Sequence, residues 1–222
     1  MSTNIAAETF ARVRSYWEID DPKAAHRVAE GAVADAPWDG KLWELLGLAR
    51  QRVGDRCGAR QALETANSLV PLSIAGQCAL ANCYLAEGLR EPARVILTHL
   101  AACPELPTEH LAELAAGLGR VGELELALRM CRLASQREPD RDEPLYGMAY
   151  YMRRLRFPTK MIATVVAQAQ RLDPGSMTYR LALALLYAEL DRGSDALALV
   201  KEVSLETLRC RSCLEKLTRL FD

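Results

Sequence analysis

Glycines at turn positions, Gly54, Gly88 and Gly122, recur every 34 residues along the chain. Alanines keep the same step at Ala25, Ala59, Ala93 and Ala127, and Ala196 follows 69 residues later. Prolines keep it too: Pro37, Pro71, Pro139 and Pro174 are separated by 34, 68 and 35. One period shared by three residue types, each with its own stereochemical task, dictates a chain of repeated supersecondary units. Each unit reads as two helices. In the second, Leu42, Leu45, Leu46, Ala49 and Val53 fall at helical spacing before Gly54-Asp55 breaks the pattern. Ala59, Leu63, Ala66 and Leu69 then share one face, and Pro71 stops the chain from continuing as helix. No segment sustains the two-residue alternation of a half-buried strand, so the fold class is all-α.

Two antiparallel helices pack closely only if small residues sit where they cross. Gly47, Ala81, Ala115 and Ala184 hold that place on the first helices, and Ala59, Ala93, Ala127 and Ala196 on the second. Leu63, Leu97 and Val166 fill the gaps between neighbouring units. The series Trp43-x2-Leu46-Gly47, Ala59, Leu63, Ala66 and Pro71 resembles the tetratricopeptide-repeat signature. The resemblance implies a right-handed superhelical solenoid of antiparallel helix pairs. Residues 1–204 parse into six repeats, at about 6–39, 40–73, 74–107, 108–142, 143–176 and 177–204, with no second domain. A capping helix is expected over 205–222, where Leu205, Leu208, Leu214, Leu217 and Leu220 alternate with charges. Two repeats depart from the pattern. The first has Val13 at the small position. The fifth has Tyr150 there, Ile162 for the second-helix alanine and Phe157-Pro158 for the turn glycine, so irregularity is expected in it.

A solenoid of this kind presents a concave surface lined by the first helix of each pair. The family uses it mainly to hold a peptide or helix of a partner protein. Matching positions give Phe10, Arg14 and Trp17 in the first repeat, and Lys41, Glu44, Leu48 and Gln51 in the second. Cys78, Asn82 and Leu85 follow in the third, Ala112, Ala116 and Arg120 in the fourth, Gly147, Tyr151 and Arg154 in the fifth, and Leu181, Leu185 and Ala188 in the sixth. Tyr151 and Arg154 suggest an acidic or phosphorylated ligand segment, while Tyr146 and Tyr150 read as repeat core. Some members grip a terminal carboxylate with Lys, Asn and Arg spread over three consecutive repeats. Here only Asn82 matches; Cys78 stands where Lys is needed, and Glu113 where Asn is. That clamp is therefore not expected. The alternative function is a self-associating scaffold, a homo-oligomer joined through terminal or convex faces.

Other classes lack signals. Lys plus Arg is 28 and Asp plus Glu is 29, so the balance offers nothing to attract nucleic acid. No apolar run reaches the length of a membrane span. The opening stretch lacks a basic and then apolar leader, and the seven cysteines, mostly in apolar helical patterns, read as small buried hydrophobes. A cytoplasmic location is expected. His26, His99 and His110 fall in three different repeats, and no catalytic motif accompanies them. Cys210-Arg211-Ser212-Cys213 supplies half of a four-ligand zinc set, with no second pair nearby. The chain therefore reads as a binding protein rather than an enzyme, with no cofactor and no metal.

Overall fold

The computed structural model describes residues 2–200; Cys210, Cys213 and the expected capping helix lie outside the described residues. Among the described residues there are twelve α-helices, one short 3-10 helix and no strand. The chain divides into two compact units at Gly122–Glu123, inside the fourth repeat as parsed from the sequence.

The N-terminal unit holds α1 (Ser2–Glu18), α2 (Pro22–Asp35), α3 (Gly40–Arg52), α4 (Arg56–Leu69), α5 (Ile74–Ala86), α6 (Arg90–Ala101) and α7 (Leu111–Val121), with the 3-10 turn Thr108–His110 leading into α7. Each helix packs on the next, and α1, α3, α5 and α7 also touch in succession, forming one face of the unit. Four starts carry side-chain caps that satisfy otherwise orphaned amides. Asp21 accepts from Ala24 N, Asp39 from Lys41 N, Asp55 from Gly58 N, and Ser73 from Gly76 N, at 2.9–3.1 Å. Trp43 Nε1 donates to Pro37 O at 2.7 Å, tying the body of the second repeat to the loop before it.

The C-terminal unit holds α8 (Leu124–Arg137), α9 (Glu143–Arg154), α10 (Thr159–Leu172), α11 (Met177–Glu189) and α12 (Gly193–Val200), again packed in order. Tyr179 donates its hydroxyl proton to Asp142, joining α11 to the start of α9. Burial and that carboxylate push the Tyr179 hydroxyl above the usual tyrosine range.

The crossings follow the spacing of small residues. Ala25, Ala59, Ala93, Ala127 and Ala196 are fully buried. A Cβ on Gly47 would stand 3.3 Å from Ala59 O and inside the Leu63 side chain, so the two helices there are in backbone contact. The turns show a second regularity. Left-handed residues occur at Asp20, Gly54, Gly88, Gly122, Arg156 and Asp191, spaced 34, 34, 34, 34 and 35. A left-handed residue thus recurs at the turn whether or not it is glycine, with φ of 79–95° at the glycines and 55–59° at the others. The odd residue lies between positions 156 and 191. The fifth repeat, expected to lose this turn to Phe157-Pro158, moves the left-handed conformation onto Arg156 (φ 59°), and Phe157 N bonds back to Met152 O at 2.9 Å.

A left-handed conformation costs a side chain with a Cβ roughly 1–2 kcal/mol. Arg156→Gly is therefore expected to raise unfolding stability by about 1 kcal/mol in urea titrations. Ala59→Leu, which overfills a crossing, is expected to lower it by about 1–3 kcal/mol in the same assay.

Candidate functional site

The face made by α1, α3 and α5 carries a groove of about 1300 Å³. Ala6, Ala7, Phe10 and Trp17 line one side from α1. Lys41, Glu44 and Leu48 come from α3, and Ala75 from α5. Trp38, Asp39 and the stretch from Val70 to Ser73 complete it from the loops before α3 and α5. The lining is mostly apolar, and the volume exceeds the several hundred Å³ typical of a small-molecule pocket. Gly40 lets the two loops meet. A Cβ there would lie 2.7 Å from Val70 Cγ2 and 2.9 Å from Leu69 Cβ.

Five of the residues expected on the binding surface converge on this groove: Phe10, Trp17, Lys41, Glu44 and Leu48. Phe10 is 42% exposed and Lys41 is open to solvent. Trp17 is half-buried beneath the Arg52 guanidinium, 4.3 Å from the ring centre, and its buried Nε1 has no hydrogen-bond partner among the described residues. Glu44 is not the open groove residue that its position suggests. It is buried, and its carboxylate accepts from both the backbone N–H and the hydroxyl of Ser73. Ser73 itself caps α5, so Glu44 fixes the start of the next helix. Arg14 is exposed and paired with Glu18 at 3.3 Å, Gln51 is half-buried, and Arg120 is exposed at the end of α7; none of the three lines the groove. Helix-face reasoning missed Trp38, which is 67% exposed, because it considered first helices and left out the loops between repeats.

In the C-terminal unit the two adjacent tyrosines are exchanged relative to expectation. Tyr150 is 55% exposed, whereas Tyr151 is only 7% exposed. The reason is packing on two sides. Helix α9 meets both α8 and α10, so its buried arc is wider than one stripe and takes in Tyr151 beside Leu145, Ala149 and Met152. Gly147 admits the Cys131 side chain from α8, whose Sγ would stand 2.9 Å from a Cβ at that position. Burial pushes the Tyr151 hydroxyl up to about 12 and the Cys131 thiol up to about 11. The basic character of α9 is also offset within the unit. Arg153 bonds Glu189 at 2.7 Å, and Arg154 sits 5.9 Å from the Tyr150 ring centre.

A further cluster went unrecognised in the sequence. Cys78 on α5, His110 at the end of the 3-10 turn and Glu113 in the first turn of α7 bring one ligand atom each within 4.8 Å of one another. Asn82, one helical turn beyond Cys78, donates to Glu113 Oε1. The other carboxylate oxygen is 4.0 Å from His110 Nδ1. Burial, and then the Glu113 charge, push the Cys78 thiol up to about 12.

No protein-family model matches the chain, and no curated protein does. Solved structures do. The chain is similar to the APC/C hetero-tetramer Cut9–Hcn1, with 16% identity over 98% of this chain and a TM-score of 0.66, and it spans 43% of that chain. It is similar to YrrB, described as a TPR protein with an unusual peptide-binding site, with 12% identity, 86% and 97% of the two chains covered, and a TM-score of 0.70. It is also similar to pilF of Pseudomonas aeruginosa, with 9% identity, 99% and 97% covered, and a TM-score of 0.73. The fold is that of the tetratricopeptide repeat. Within this tetratricopeptide-repeat fold, no helix among the described residues is long and apolar enough to cross a membrane.

The exchange of the tyrosines has a measurable consequence. Tyr151→Ala should cost about 3–5 kcal/mol, as for other buried aromatic truncations. Tyr150→Ala should cost about 0.5–1.5 kcal/mol, mainly the lost edge contact with Tyr151 at 5.1 Å. Chemical denaturation of the two variants checks both values.

Proposed function

We propose that the chain is a protein–protein interaction module that takes an apolar segment of a partner, helical or extended, into the groove of its N-terminal unit. The observation that carries this reading is the co-location of exposed Phe10 and Trp38 with half-buried Trp17 and Leu48 around one open concavity. Large exposed apolar residues gathered in a groove mark a docking surface, whereas scattered ones do not. Aromatic side chains also supply much of the energy in protein interfaces. Lys41 at the rim would meet an acidic group flanking the apolar segment. The peptide-binding site named for YrrB, a protein of the same fold, agrees with this use. On this reading the protein acts as an adaptor or scaffold in the cytoplasm and works by binding rather than by catalysis.

Self-association is the second reading, and Val95, 64% exposed on α6 and away from the groove, is the position that tests it. The two readings separate in one experiment. Crosslinked complexes are captured from native cells with the wild type, with Phe10→Ser/Trp38→Ser and with Val95→Ser. The proposal expects a heterologous protein with the wild type and with Val95→Ser, reduced at least tenfold with the groove variant. Capture that is unchanged by Phe10→Ser/Trp38→Ser would refute the groove. Recovery of only the chain itself, lost with Val95→Ser, would establish the scaffold instead.

A further inference from the structure

We propose that Cys78, His110 and Glu113 form a zinc-binding site on the α5–α7 face of the N-terminal unit. This goes beyond the groove reading and does not depend on it, since none of the three residues lines that groove.

The donor set points to the metal. A thiol sulfur, an imidazole nitrogen and a carboxylate oxygen lie within 4.8 Å of one another. Calcium and magnesium take oxygen ligands and would not use the sulfur. Zinc takes all three donor types at about 2.0–2.3 Å. Tetrahedral geometry at those bond lengths places ligand atoms about 3.5 Å apart. Side-chain rotations that move the ligand atoms by about 1 Å therefore close the three around one ion.

The backbone already orients the ligands. His110 and Glu113 are three residues apart at the start of α7 and share a face. Cys78 and Asn82 are four apart on the facing side of α5. Asn82 donates to one oxygen of Glu113 and leaves the other toward His110 Nδ1, at 4.0 Å. Glu109 lies 4.0 Å from His110 Nε2, on the far side of the ring, where an acceptor steadies a ligating imidazole. On binding, zinc replaces the Cys78 thiol proton, which leaves to solvent. Three protein ligands leave a fourth position for water or for a donor brought by another molecule.

The test is a zinc titration of the full chain after chelator treatment, followed by calorimetry, with thermal melting recorded with and without zinc. The wild type should bind one zinc per chain at this site, with a higher Tm when loaded. Cys78→Ser, His110→Gln and Glu113→Gln should each remove that zinc and its Tm shift, while Asn82→Ala should weaken it roughly 10–100-fold. Glu113 is exposed, so Glu113→Gln keeps the test interpretable even if a change at buried Cys78 impairs folding. The double variant Cys210→Ser/Cys213→Ser should bind as the wild type does. Failure of the wild type to bind zinc would overturn the proposal. So would binding that survives both His110→Gln and Glu113→Gln, or binding that is lost in the Cys210/Cys213 variant.

Discussion

Backbone contact between paired helices is the constraint on which the rest of this structure depends. In five of the pairs alanine stands where the helices cross, and Ala25, Ala59, Ala93, Ala127 and Ala196 have no exposed surface; in the fifth repeat Ile162 takes that place and is also buried. With the crossing closed, Leu63, Leu97 and Val166 are carried into the seams between pairs, and all three are buried. A single helix pair has an apolar face it cannot cover alone. Stacking covers it and, in the N-terminal unit, sets α1, α3, α5 and α7 in successive contact. Both the groove and the Cys78–His110–Glu113 cluster lie on those helices and on the loops between them. The functional surface is therefore a product of the crossings.

The turns obey a constraint of the same strength in the backbone. Six left-handed residues keep the period, although only three are glycine. Glycine makes the conformation visible in a sequence because it adopts it without strain. Asp20, Arg156 and Asp191 adopt it because the helices on either side are already fixed by packing. The fifth repeat reads as irregular from Phe157-Pro158, yet its turn sits in register with the others. Tertiary packing overrides local preference there, and local preference is all that a sequence pattern displays.

The helix pairs were legible because their determinants are local and repeated: small residues, turn glycines and terminating prolines at fixed offsets. The site was legible only in part. Phe10, Trp17 and Lys41 follow from helix-face position alone. Glu44 does not, because its carboxylate is taken by Ser73, 29 residues away in sequence. Tyr150 and Tyr151 were exchanged because α9 is covered on two sides, and a single-stripe model allows for one. His110 and Glu113 are only three residues apart at the start of α7, but Cys78 comes from α5 of the preceding repeat, so no spacing rule joins it to them. Loop contributors such as Trp38 carry no periodic signal at all.

The central claim is that the N-terminal groove, rather than the second-helix surface, meets a partner. The most direct measurement places a photo-activatable residue at position 41, on the groove rim, and in a parallel chain at position 95, on the exposed side of α6. After irradiation in cells, crosslinked products are separated and sequenced. The account predicts an adduct with a segment of a different protein from position 41 and none from position 95. Adducts from position 95 alone, or from both positions equally, would contradict it.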